Sequence, residues 1–220
     1  MTEPKDIRII IACEESQAIT KEFRRLGFQA FSCDLQEYSG GLPQYHFRED
    51  IHEVLKREHF DLMVAHPPCT FLSNAGARWL YQNGKLNKER YEKGIAGKEF
   101  FLSLLNYPIR YLAVENPVPS TIYDLPQPTQ IIEPYMFGDP YTKRTCLWLR
   151  NLPCLIPSKM VEPKGPYCPN KNHHGFATRG NDAVERSKTF PGIARAIAHQ
   201  WGRYVLQDMN GQTLSRLFRK

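Results

Sequence analysis

The chain has 220 residues, 41% of them hydrophobic and 12% aromatic, which is enough for one packed core and too apolar for a disordered protein. No apolar run approaches the roughly 20 residues that cross a membrane, and Met1-Thr-Glu-Pro-Lys-Asp carries no signal-peptide pattern, so a cytoplasmic protein with no membrane partner is expected. Six cysteines (13, 33, 69, 146, 154, 168) lack the spacing of a disulfide framework, and a net charge of +6 permits a polyanionic partner without requiring one.

Ile7 to Ala12 is a β-branched run bounded by charge, which predicts a buried parallel strand. A helical pattern follows from Cys13, with Ile19, Phe23 and Leu26 at helical spacing and Gly27 as its stop. Gln29 to Cys33 is a second strand, ending in Asp34. Strand, helix, strand and terminal acid make the first half of a Rossmann-like nucleotide site, where that acid binds ribose hydroxyls; an ordinary βαβ unit with a surface Asp has the same pattern. Cys13-Glu14-Glu15-Ser16 stands where such a site carries glycines. Tyr38 to Pro43 is a loop by its breakers, and Asp50 is a candidate N-cap for a helix reaching about Glu58.

The next stretch is Asp61-Leu-Met-Val-Ala-His-Pro-Pro-Cys-Thr-Phe-Leu-Ser73. A short apolar strand is stopped by two prolines, and Cys69 is delivered just past the break. A polar loop with Asn74, Gly76, Arg78 and Asn83-Gly84 leads to a helix over Lys88 to Leu105, with Phe100, Phe101, Leu104 and Leu105 inward. Ile109 to Val114 reads as another buried strand, its tip Glu115-Asn116-Pro117 again breaking on proline just after an acid. Gln130–Tyr135 and Thr145–Leu149 predict a closing strand pair around a Gly/Pro turn that carries Lys143 and Arg144. Residues 151–186 predict a long loop or small subdomain, 192–206 an amphipathic helix, and 214–220 a frayed tail.

Open α/β sheets put their chemistry at the carboxyl ends of their strands. A thiolate there attacks electron-poor carbon, and a nearby carboxylic acid can protonate a ring nitrogen. Cys69 with Glu115 therefore fits addition to a pyrimidine better than peptide hydrolysis, for which His66 would have to reach the thiol. The bland alternatives are a buried structural thiol and a strand-capping acid.

These residues resemble the DNA (cytosine-5)-methyltransferase family, as short motifs in order from Ile9 to about Val205. Pro67-Pro68-Cys69 matches its Pro-Pro-Cys nucleophile, and Val114-Glu115-Asn116 is similar to its Glu-Asn-Val motif. Gly138-Asp-Pro140-Tyr-Thr-Lys143-Arg144 resembles its Gly-x-Pro-Gln-x-Arg-x-Arg segment, and the 192–205 helix stands where its last motif completes the cofactor pocket.

The resemblance implies a Rossmann-like class I methyltransferase fold over 1–220. The sheet would be mostly parallel with one antiparallel strand and helices on both faces. It implies S-adenosylmethionine as cofactor, held by Ala12, Cys13, Glu14, Ser16, Asp34, Leu35, Asp50, Ile51, His66 and Pro67. It implies DNA as partner, with Cys69, Glu115 and Arg144 catalytic and Pro68, Thr70, Ser73, Asn74, Arg78, Asn116 and Lys143 against the substrate. The target cytosine is flipped out, Cys69 adds to C6, Glu115 activates N3, and C5 takes the methyl group.

The chain departs from the family in lacking Phe-x-Gly-x-Gly and in having only 151–186 where a large target-recognition domain is usual. That size resembles the short methylase-like proteins of phages and prophages. It leaves three routes: minimal recognition, a substrate other than a specific duplex site, or recognition by a separate protein. The same chemistry on RNA, a free nucleotide or a modified pyrimidine is one alternative; a catalytically silent binding relative is another. His-Pro-Pro-Cys lacks the aromatic residue that an amino-methyltransferase stacks on its base. Cys154, Cys168, His173 and His174 invite zinc, but their spacing matches no recognised finger, and no metal is expected.

Overall fold

Burial along the first strand decides the layering. The computed structural model describes residues 1–77, 79–167 and 187–211. In it β1 (Arg8–Ala12) alternates between two cores. Ile9 and Ile11 pack with α1 (Ala18–Arg25) and α4 (Pro191–Met209). Ile10 and Ala12 pack with α2 (Ile51–Arg57) and α3 (Lys88–Leu105). A strand apolar on both faces needs helices on both faces, and these four supply them.

The sheet has seven strands. Besides β1 they are β2 (Gln29–Cys33), β3 (His46–Phe47), β4 (Leu62–Ala65), β5 (Tyr111–Pro117), β6 (Gln130–Ile132) and β7 (Thr145–Arg150), in the order 3-2-1-4-5-7-6. The pairs β3–β2, β2–β1, β1–β4 and β4–β5 are parallel, while β7 runs antiparallel to both β5 and β6. This is the expected mostly parallel, Rossmann-like sheet with one reversed strand. Strand order reverses between β1 and β4, so a cleft opens at their carboxyl ends. There the His66 backbone N–H donates to the Ala12 carbonyl at 2.9 Å.

Two elements differ from expectation. The two-residue strand β3 falls in a stretch without apolar periodicity; it is specified by pairing Ser32 with His46 and Cys33 with Phe47. β5 also does not stop at its acid, but continues through Glu115, Asn116 and Pro117. Its β4 neighbour ends at the Ala65–Val114 pair, so residues 115–117 are paired only to β7. On that one-sided extension a missing proline N–H breaks no ladder on the β4 side.

The start of the expected 151–186 loop is laced to the turn after β6. Lys159 and Val161 donate to the Met136 and Tyr135 carbonyls at 3.2 and 3.0 Å, and Thr142 donates to the Gly165 carbonyl at 2.9 Å. At the opposite edge of the sheet, Tyr111 Oη donates to Asp208 of α4 at 2.6 Å. Beyond it Thr2 N–H donates to Asn210 Oδ1 (2.8 Å), and Asn210 Nδ2 donates back to the Thr2 carbonyl (2.9 Å). Residues 168–186 and 212–220 lie outside the described residues, including Cys168, His173, His174 and the basic tail.

Candidate active site

The site is built where β4 gives way to Pro67-Pro68 and β5 overruns its neighbour. Three hydrogen bonds fasten these segments to each other. Asn116, fully buried, donates from Nδ2 to the Pro67 carbonyl at 3.1 Å. Asn74 N–H donates to the Val118 carbonyl (3.2 Å), and Ser120 N–H donates to the Leu72 carbonyl (2.7 Å). Between them Cys69 is half-buried, and its carbonyl accepts from the Ser73 N–H at 3.0 Å. Ser73 is buried and its Oγ accepts from the Gly76 N–H; a side chain at Gly76 would collide with the Thr70 carbonyl, so only glycine lets this turn close. Pro68, Thr70 and Asn74 are exposed along the rim, and Arg78 lies outside the described residues.

Glu115 faces His66 across the ends of β5 and β4, with His66 Nδ1 3.0 Å from Glu115 Oε2. An ionised carboxylate only accepts, so Nδ1 is the donor. Burial pushes the Glu115 carboxyl up, but the His66 hydrogen bond, the His66 charge and the Lys143 charge outweigh it and hold the group below the usual carboxylate range. Glu115 is therefore an anion at neutral pH. Among the described residues His66 Nε2 and Asn116 Oδ1 are buried without a hydrogen-bond partner. His66, Glu115, Lys143, Thr145, Phe190 and Ile193 are among the residues lining a narrow cavity.

The two cations of the turn diverge. Lys143 enters the cavity, its Nζ 5.7 Å from the Phe190 ring centre and its backbone N–H donating to Glu133 at 2.7 Å. Arg144 is exposed, with Nε 3.9 Å from Glu133. The cation beside Glu115 is thus Lys143, while Arg144 faces outward. Asp139, from the same turn, accepts from Gly192 N–H and caps α4.

The β1–α1 turn makes up for its missing glycines with strain. Cys13 and Gln17 both take left-handed backbone conformations, at φ 59° and 56°, each costing roughly 1–2 kcal/mol for a side-chain-bearing residue. Gln17 holds the turn by donating to Ser32 Oγ and the Leu42 carbonyl and accepting from Leu42 N–H. Glu14 turns inward; its carboxylate accepts from Ile19 N–H, Thr20 N–H and Thr20 Oγ1, and so caps α1. Burial pushes the Glu14 carboxyl up despite those donors. Burial, then the charges of Asp34, Cys33 and Asp50, push the Cys13 thiol up. Asp50 caps α2 by accepting from His52 N–H, Ile51 is buried beneath it, Asp34 accepts from Gln36 N–H, and Leu35 and Ser16 remain at the surface.

Sequence reasoning missed the His66–Glu115 bond and the cavity wall of Thr145, Phe190 and Ile193. The sequence did place Thr145 at the start of a strand just after the cationic turn, but not in a cavity wall. Nothing local marks His66, which the sequence assigned to the cofactor. Among the described residues no cluster of three metal-ligating side chains occurs, and Cys154 is exposed. Among them, too, no helix is long and apolar enough to cross a membrane.

Fold and site define a Rossmann-like α/β protein with a thiol-bearing turn fastened to a carboxylate strand at the switch point of its sheet. No family model and no curated protein matches the chain. Solved structures similar to it include a protein described as a DNA modification methyltransferase encoded within a prophage of E. coli (12% identity, 71% of this chain and 52% of that one, TM-score 0.45). Another is a Spodoptera frugiperda DNMT2 variant (14%, 78% and 61%, 0.40). A third is the Entamoeba histolytica methyltransferase EhMeth (12%, 96% and 98%, 0.47). The chain spans about half the length of the first and three-fifths of the second. Likenesses this distant assign neither residues nor substrate, which rest on the site itself.

Proposed function

We propose that this chain transfers a methyl group from S-adenosylmethionine to C5 of cytosine in DNA through a covalent Cys69 adduct. The observation that carries this is the fastening of nucleophile turn to acid strand by Asn116, Asn74 and Ser120. It gives Cys69 and Glu115 a common rigid frame, which attack on one ring atom with proton delivery to another requires.

The residues around the first turn fit a methyl donor's adenosine end. Glu14 N–H donates to the Cys33 carbonyl at 3.1 Å, which sets Asp34 beside this turn, and Asp50 caps α2 with Ile51 packed beneath it. When bound, S-adenosylmethionine supplies an electrophilic methyl group. The chain's own residues supply the activation. The Cys69 sulfur forms a bond to C6 of the flipped cytosine and pushes electron density to C5. The proton held between a charged His66 Nδ1 and Glu115 passes to N3, which carries none in neutral cytosine, leaving His66 neutral, and the ionised carboxylate then accepts from the new N3–H and the ring's amino group. The Lys143 charge keeps Glu115 ionised once the His66 proton has moved to N3. Once C5 carries the methyl group and the demethylated cofactor has left, the C5 proton passes to water, the N3 proton returns to the Glu115–His66 pair, and cleavage of the C6–sulfur bond restores the aromatic ring and the thiolate.

The test uses DNA with 5-fluorocytosine in place of cytosine, incubated with the protein and S-adenosylmethionine. Fluorine at C5 blocks the final elimination, so a covalent protein–DNA adduct is expected, and Cys69→Ser abolishes it. Cofactor binding by calorimetry without adduct moves the chemistry to another substrate. Absence of both overturns the enzyme.

A further inference from the structure

The ribbon after the Cys69 turn is exposed where a packed element would be covered. Its strands Tyr81–Gln82 and Lys85–Leu86 pair Tyr81 with Leu86 and Gln82 with Lys85. They join through Asn83 and Gly84, both at positive φ, the two-residue turn that Asn-Gly favours. Trp79 is 54% exposed, Tyr81 57% and Leu86 41%, whereas the chain's other two tryptophans, Trp148 and Trp201, are 3% and 0% exposed. Neighbouring half-exposed aromatics mark an interaction surface.

The base of the ribbon is fixed to the active-site turn. Leu80 is buried and its carbonyl accepts from Asn87 N–H at 2.8 Å. Arg90, at the start of α3, donates to the Gly76 carbonyl at 3.0 Å and lies 4.9 Å over the Phe71 ring. Gly76 in turn donates to Ser73, whose N–H holds the Cys69 carbonyl. The aromatics therefore stand at a set place relative to Cys69. The surroundings are cationic: residues 74–90 contain Arg78, Lys85, Lys88 and Arg90 against the single acid Glu89, which pairs with Lys93.

We propose that the Trp79–Leu86 ribbon is a stacking platform for unpaired bases of a nucleic-acid strand running beside the Cys69 turn, with Lys85 and Lys88 taking its phosphates. The inference rests on the function proposed above and narrows its substrate to single-stranded or locally opened nucleic acid. Charge complementarity favours a polyanion over a protein partner. Exposed aromatic faces stack on bases that are not already stacked in a duplex. A two-residue strand reaches roughly 7 Å, too little to fill a major groove about 12 Å wide.

The test is anisotropy at fixed salt with a labelled mixed-sequence single strand of about 20 nucleotides, longer than a typical single-strand site, and the matching duplex. The single strand is expected to bind roughly tenfold tighter than the duplex and to quench tryptophan emission, since only Trp79 is exposed to it. Trp79→Ala and Tyr81→Ala each weaken binding roughly 5- to 100-fold, the range of one base–aromatic stack, while Trp79→Phe stays close to wild type. Circular dichroism checks that these surface variants fold. Unchanged affinity in the Trp79→Ala/Tyr81→Ala double variant, tighter duplex binding, or no oligonucleotide binding overturns the platform. The two proposals fail separately. Strand binding lost on Trp79→Ala with no 5-fluorocytosine adduct removes the chemistry and keeps the platform. An adduct undiminished in the double variant removes the platform and keeps the chemistry.

Discussion

His66 is the residue on which the site's pH behaviour turns. Glu115 is half-buried, which pushes its carboxyl up, and the His66 hydrogen bond and the positive charges of His66 and Lys143 hold it down. A folded-state value below the ordinary 4.5 means that Glu115 stabilises the fold fully above about pH 4.5 and loses that contribution as pH falls through the folded value. His66→Leu removes the bond and the charge and leaves the desolvation opposed by Lys143 alone, so the carboxyl moves up from its wild-type position. Urea midpoints between about pH 3 and 8 are expected to fall with acidification below about pH 4.5 in the wild type, and to fall less in His66→Leu. The same substitution should move the acid limb of adduct formation upward in pH. Asn116→Ala tests the other contact: losing a buried hydrogen bond to Pro67 costs about 1–3 kcal/mol in denaturant melts and slows Cys69 adduct formation. The strand ends that carry Cys69 and Glu115 were legible because proline and acid punctuate apolar runs there. His66 was not, since a hydrogen bond across two strands has no local signature.

The elements were legible wherever apolar periodicity ran long. The α3 span of Lys88–Leu105 is the expected one, as are the two-sided strands β1 and β4. β3, two residues long, carries too few side chains to show a period, and β5 ran past its acid to Pro117 because its outer residues have one neighbour. Where α3 meets the Thr121–Tyr123 turn, fit is decided by one absent atom. A methyl group on Gly94 would run into the buried Tyr123 ring, which is stacked on Tyr91. Gly94→Ala is therefore expected to lower stability by about 1–3 kcal/mol, although alanine is the better helix former by about 1 kcal/mol. Thermal melts decide which effect prevails; a raised Tm would show that Tyr123 moves aside freely.

At the scale of the molecule, the layered sheet explains why distant motifs converge. Parallel strands with helical crossovers return every carboxyl end to one edge, so residues 13, 34, 50, 69 and 115 gather there without being near in sequence. The sequence could order these motifs but could not give the cavity, because its walls come from β7 and the start of α4, which the chain adds last. The clamp between Thr2 and Asn210 has a further consequence. It brings the two ends of the described chain within hydrogen-bonding reach, so the path closes into a ring whose starting point is arbitrary. A circular permutant that joins residue 211 to Thr2 through a short glycine linker and opens between Gln127 and Pro128, where Gln127 is exposed, is expected to fold cooperatively and keep the Cys69 adduct. For such an architecture the order of segments in the gene can be shuffled by rotation while the site stays whole.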